Sequence, residues 1–110
     1  MAWDFDNALA SPLIKVISRD DVWGSFKIKV GTIPTVVRIE LRRQMNGDKT
    51  KALVSHAIHT PAQLGKYHEN HPMRDNPEYA LHRAITSLTD HYKQAVEDGH
   101  SPSADWLVSP

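Results

Sequence analysis

Histidine is the residue type in this chain most able to do chemistry. Seven of the 110 residues are His. Two pairs have the spacing H-x-x-H, His56/His59 and His68/His71. A zinc site needs three or four converging ligands. If residues 50–59 form a strand, His56 and His59 point to opposite faces and cannot share one ion. His68 and His71 fall in a stretch without periodicity, where Glu69, Asp75 or His82 would have to complete a set. His82 and His91 are nine residues apart, which puts them on opposite sides of a helix. The spacing therefore reads as surface histidines, and no metal or other cofactor is expected. Nucleophile chemistry has no support either. There is no cysteine, no G-x-S-x-G, and no carboxylate pair in an apolar setting. The five glycines are scattered rather than gathered into a phosphate-cradling loop. No catalytic residue is assigned, and the chain is read as a non-enzyme.

A strand ending in His59, a loop with Asn70 and His71 and a helix with His82 resembles the element order of ββα-metal nucleases. The resemblance implies a general-base His on the strand side and metal ligands on the helix. No Asp-His strand pair precedes the loop, so a metal nuclease is the third-ranked reading. It predicts a chelator-sensitive activity lost on His71→Ala or His82→Ala.

Charge is the second source of function. Lys+Arg and Asp+Glu balance at 13 each, so whole-chain electrostatics supports neither a nucleic-acid nor a membrane partner, and no membrane partner is expected. The balance is local, however. From Val22 to Lys51 there are seven basic residues (Lys27, Lys29, Arg38, Arg42, Arg43, Lys49 and Lys51) against Glu40 and Asp48, a net of +5. Alternation places Lys27, Lys29, Arg38 and Arg42 on one face of adjacent strands. Such a face suits a phosphate backbone or an acidic protein patch. It also suits plain solvation of exposed strands. Of the aromatic residues, only Trp23 shares that face. A third group, Tyr67, Met73, Tyr79, Trp106 and Arg74, lies in or beside irregular segments. These residue types are enriched at protein interfaces.

The elements that would position these residues are legible. Asn76 to Gly99 is an amphipathic helix: Leu81, Ala84, Ile85, Leu88, Tyr92, Ala95 and Val96 recur at three- and four-residue steps. Asn76 is its N-cap, Pro77 its first residue, Glu78 a favourable charge, and Gly99 its left-handed stop. Leu13–Ser18 reads as a first strand and Arg19-Asp20-Asp21 as a turn. Val22–Val30 alternates with Val22, Phe26, Ile28 and Val30 on one face, expected inward, and Gly24 marks a bulge. Gly31–Pro34 turns the chain, and Thr35–Gln44 alternates again with Val37, Ile39 and Leu41 inward. Asn46-Gly47 is a hairpin signal, and Thr50–His59 is a further strand.

These runs predict one α+β domain, an antiparallel three- to four-stranded β-meander packed against one long C-terminal helix. Residues 1–12 read as an arm or a short helical turn, with Trp3, Phe5 and Leu9 available to pin it to the domain. The meander covers 13–59, a long loop 60–75, the helix 76–99, and an extended tail 100–110. The β-β-β-α order also occurs in double-stranded-RNA-binding domains. Their final helix begins with lysines, whereas this one begins Asn-Pro-Glu-Tyr-Ala, so membership is not claimed. The start Met-Ala-Trp-Asp-Phe-Asp is acidic and lacks the parts of a signal peptide, which predicts a cytoplasmic protein. The preferred function is a small protein-binding regulator or inhibitor, of the kind phages and mobile elements direct at host defence complexes. Its partner-binding residues are Lys27, Lys29, Arg38, Arg42, Arg43, Tyr67, His68, His71 and Arg74. The partner is a protein with an acidic patch or a nucleic-acid-binding machine. Direct nucleic-acid binding by the basic face is the alternative.

Overall fold

The computed structural model describes residues 4–43, 49–63, 73–74 and 76–110, with the backbone alone at 73 and 74. A short helix α1 (Phe5–Ala8) is capped by Asp4, whose side chain accepts from the Asn7 N–H at 2.6 Å. Four strands follow: β1 (Ile14–Asp20), β2 (Ser25–Val30), β3 (Val37–Arg43) and β4 (Thr50–Val54). They pair in sequence order, each antiparallel to the next. β5 (Ala57–Ile58) leaves this sheet, and β6 (Met73–Arg74) joins its β4 edge. The long helix α2 (Pro77–Glu97) covers one face. The chain ends in a 3-10 turn (Ala104–Trp106) and β7 (Leu107–Val108), which pairs with β5 in a second, two-stranded sheet. The expected α+β fold is therefore present.

Alternation explains the core. Phe26, Ile28 and Val30 of β2 and Val37 and Ile39 of β3 are fully buried on the face toward α2. From α2 come Ala80, Leu81, Ile85, Leu88, Tyr92 and Ala95. Thr89 is buried too, while Val96, in the last turn, is 43% exposed and leaves the expected face. The helix ends behave as the sequence requires. Asn76 accepts from the Tyr79 N–H at 2.6 Å. At the other end Gly99 takes φ +92°, and the N–H groups of Gly99 and His100 donate back to the Val96 and Ala95 carbonyls. Ala8 and Leu9 seal one side, with the Phe5 ring 5.3 Å from that of Phe26. Gly31 (φ +53°) ends β2 where a side chain would strike the Tyr92 ring.

Several boundaries differ from the sequence reading. β1 runs through Asp20 and β2 starts only at Ser25, so the turn is 21–24. The cause is local. The Asp20 carboxylate accepts from the N–H groups of Val22 and Trp23 (3.1 and 3.0 Å), and Gly24 closes the turn at φ +69°. Gly24 is thus a turn residue rather than a bulge; the irregularity sits in β1, between Val16 and Ser18. The expected strand 50–59 is two strands in two sheets. Ser55 causes the break by gripping β3: its hydroxyl accepts from the Arg38 N–H (2.8 Å), and its own N–H donates to the Arg38 carbonyl (2.9 Å). Residues 73–74, expected in the loop, are a strand. The tail is held through Trp106, whose ring meets Tyr92 edge-on at 5.7 Å and whose carbonyl accepts from the His59 N–H. Trp3, the Asn46-Gly47 turn and residues 64–72 lie outside the described residues.

Candidate functional site

The sheet face turned away from α2 is built from the residues between the core positions. Register partners in antiparallel strands share a face, so the pairing determines its membership. Lys27 of β2 lies directly opposite Arg38 of β3. One strand out, Lys29 faces Lys15 of β1. On the other side, Arg42 of β3 faces Lys51 of β4. Six cations therefore occupy one face, and each of the three strand junctions carries a directly opposed basic pair. Opposed like charges weaken a sheet by a few tenths of a kcal/mol per pair, up to about 1 kcal/mol. Solubility alone is served as well by mixed signs, which avoid that cost. None of Lys15, Lys27, Lys29 and Lys51 has a carboxylate within ion-pair distance among the described residues.

The acids near this face are already engaged. Glu40 accepts from the Arg42 guanidinium at 2.8 Å. That hydrogen bond, with Arg38 nearby, holds the Glu40 carboxyl below the usual carboxylate range. At the end of β1, Arg19 bonds both Asp21 (2.7 Å) and Asp6 (2.8 Å), and the Asp21 carboxyl is lowered by the same guanidinium. Asp20 is used by the turn. Leu53, opposite Glu40, is 40% exposed and gives the face one apolar island.

At one end of the face the β1–β2 turn carries Val22 and Trp23, 89% and 81% exposed; Val22 is thus not on the inward face with Phe26, because it precedes the strand. Beside it the Gly24 carbonyl accepts from the Leu41 N–H at 2.8 Å. This tie places Trp23 next to the end of β3. A groove of about 390 Å³ lies there, lined by Trp23, Ser25, Glu40, Leu41, Arg42 and Arg43.

The structure brings together Lys27, Lys29, Arg38 and Arg42, and adds Lys15 and Lys51, which alternation within single strands did not assign. Arg43 is exposed but belongs by alternation with Val37, Ile39 and Leu41, so it approaches the face only around its end, in the groove. Arg74 is not in a loop. It is paired in register with Thr50 at the sheet edge, because β6 takes up hydrogen bonds that β4 would otherwise leave open. Tyr67, His68 and His71 lie outside the described residues. Of the other histidines, His56 is half-buried with Nδ1 2.8 Å from the Ser55 hydroxyl, His59 is exposed, and His91 Nδ1–H donates to the Ser87 carbonyl at 2.7 Å. His82 lies near Tyr79, ring centroids 6.0 Å apart. Burial, aided by Arg83, pushes its imidazole below the usual value. Among the described residues no three His, Asp or Glu side chains are grouped so as to hold a metal ion. No helix among them is long and apolar enough to cross a membrane. No protein-family model, curated protein or solved structure matches the chain.

Proposed function

We propose that this chain is a non-enzymatic module that binds nucleic acid along the sugar-phosphate backbone, using the outer face of the β1–β4 sheet. The observation that carries this reading is the set of three opposed basic pairs, Lys15/Lys29, Lys27/Arg38 and Arg42/Lys51. Strands lie about 4.8 Å apart, and alternate residues along a strand are about 6.7 Å apart. The cations thus form a two-dimensional grid on a sheet face, with no helix among them. Such a grid neutralises phosphates and positions a strand, but reads no base edges. Nucleic acid is favoured over an acidic protein patch because the face holds six cations, Lys15 and Lys51 joining the four that alternation placed there.

A protein partner is the second reading. Leu53, exposed amid the cations, is the observation that favours it, since an acidic protein patch would use an apolar contact that a phosphate backbone would not. On that reading the module would act as a regulator by occupying an acidic surface.

Reversing Lys27, Lys29, Arg38 and Arg42 to Glu separates a working face from a merely solvated one. All four lie outside the core, so the variant should fold, as checked by circular dichroism. The expected result is loss of oligonucleotide binding by at least 100-fold at low salt, since about four phosphate contacts are lost. A folded variant that binds as the wild type does would contradict the proposal.

A further inference from the structure

The turn 21–24 does not need the side chains at its tip. Its backbone is held by the Asp20 carboxylate and by Gly24 at positive φ, so small polar residues would serve at 22 and 23. The chain instead places Val and Trp there, each more than four-fifths exposed. The indole forms one wall of the 390 Å³ groove, and the β3 residues Arg42 and Arg43 form another. Arg42 is also one end of the Arg42/Lys51 pair, so the groove opens onto the basic face. Its own charge is two guanidinium groups against the Glu40 carboxylate that Arg42 already engages.

We infer that this groove is a base-stacking subsite, in which the Trp23 indole receives one unpaired base while Arg42 and Arg43 hold its flanking phosphates. The inference rests on the nucleic-acid reading and deepens it, because it makes the ligand single-stranded. A duplex keeps its base faces stacked on one another; a single strand or a frayed end offers one. Stacking on an aromatic side chain contributes about 1–3 kcal/mol per base without regard to sequence. The two charge sources then divide the work. The sheet cations supply affinity for any backbone, and Trp23 supplies discrimination between a backbone with bases and one without. An acidic peptide bearing an apolar side chain is the competing occupant. It matches the same charge but offers no backbone of evenly spaced anions for the rest of the face.

The test uses fluorescence anisotropy of the full chain at low salt with four labelled probes: a thymidylate dodecamer, an abasic oligomer of equal length, a duplex, and an oligoglutamate peptide of similar charge. The wild type should bind the thymidylate oligomer about ten-fold or more tightly than the abasic one. Trp23→Ala should abolish that difference, and Trp23→Phe should retain part of it. Because Trp23 is outside the core, both variants should fold. Equal wild-type affinity for the base-bearing and abasic oligomers, a preference for the duplex, or a preference that survives Trp23→Ala would overturn the subsite while leaving backbone binding intact. Failure to bind any oligonucleotide, or tighter binding of the oligoglutamate, would overturn the nucleic-acid reading itself.

Discussion

Glu40 shows how much a single residue weighs on a face of this kind. It stands between Arg38 and Arg42 on β3, opposite Leu53, and binds the Arg42 guanidinium. Its lowered carboxyl keeps it charged throughout the neutral range, so it repels any approaching phosphate and occupies Arg42, one of the two guanidinium groups lining the groove. Glu40→Gln should therefore tighten oligonucleotide binding several-fold at low salt, measured as a dissociation constant. Weaker binding by that variant would mean that Glu40 serves to orient Arg42 rather than to restrain it. Residue identity and alternation alone were enough to place Lys27, Lys29, Arg38 and Arg42 together. They were not enough for Lys15 and Lys51, because membership of a face across strands depends on register, and register is set by pairing partners distant in sequence. Trp23 was legible as exposed. Its place beside Arg43 was not, since that depends on the Gly24–Leu41 hydrogen bond across the sheet.

At the level of elements, α2 was the most legible, because its period, N-cap and glycine stop are all local signals. The strands were legible in kind and less so in extent. Strand β4 ends at Val54 because Ser55 bonds to Arg38, a contact seventeen positions away that no window of sequence contains. β5 exists because the distant β7 pairs with it, and the same holds for β6 on β4. The helix also carries a pH dependence. His82 has its imidazole lowered by burial and by Arg83, with Asp90 opposing. In the window between the lowered value and about 6.5 the unfolded chain binds more protons than the folded one. The stability due to this group is therefore present above about pH 6.5 and is lost as pH falls through the lowered value. Thermal melts at pH 7.5 and pH 5.5 should show a smaller acid-induced drop in Tm for His82→Gln than for the wild type. An equal drop would mean that His82 does not set the acid sensitivity.

At the scale of the whole molecule, charge is separated rather than absent. A formally neutral chain carries +5 between Val22 and Lys51 and −5 elsewhere. On the proposed reading, long-range attraction of a polyanion is therefore weak, and the sheet cations act at contact distance. Composition hid this, because a sum over the chain cancels a local excess. β1 and β3 are seven residues each, about 23 Å long, so the sheet face is long enough for several successive phosphates but not for an extended tract. The measurement that most directly tests the central claim is the salt dependence of single-stranded oligonucleotide binding by the wild type. With about four to six phosphates neutralised, log K should fall with log salt at a slope of about −3 to −4. A slope near zero, or no binding at the lowest salt, would contradict a phosphate-binding role for the opposed basic pairs.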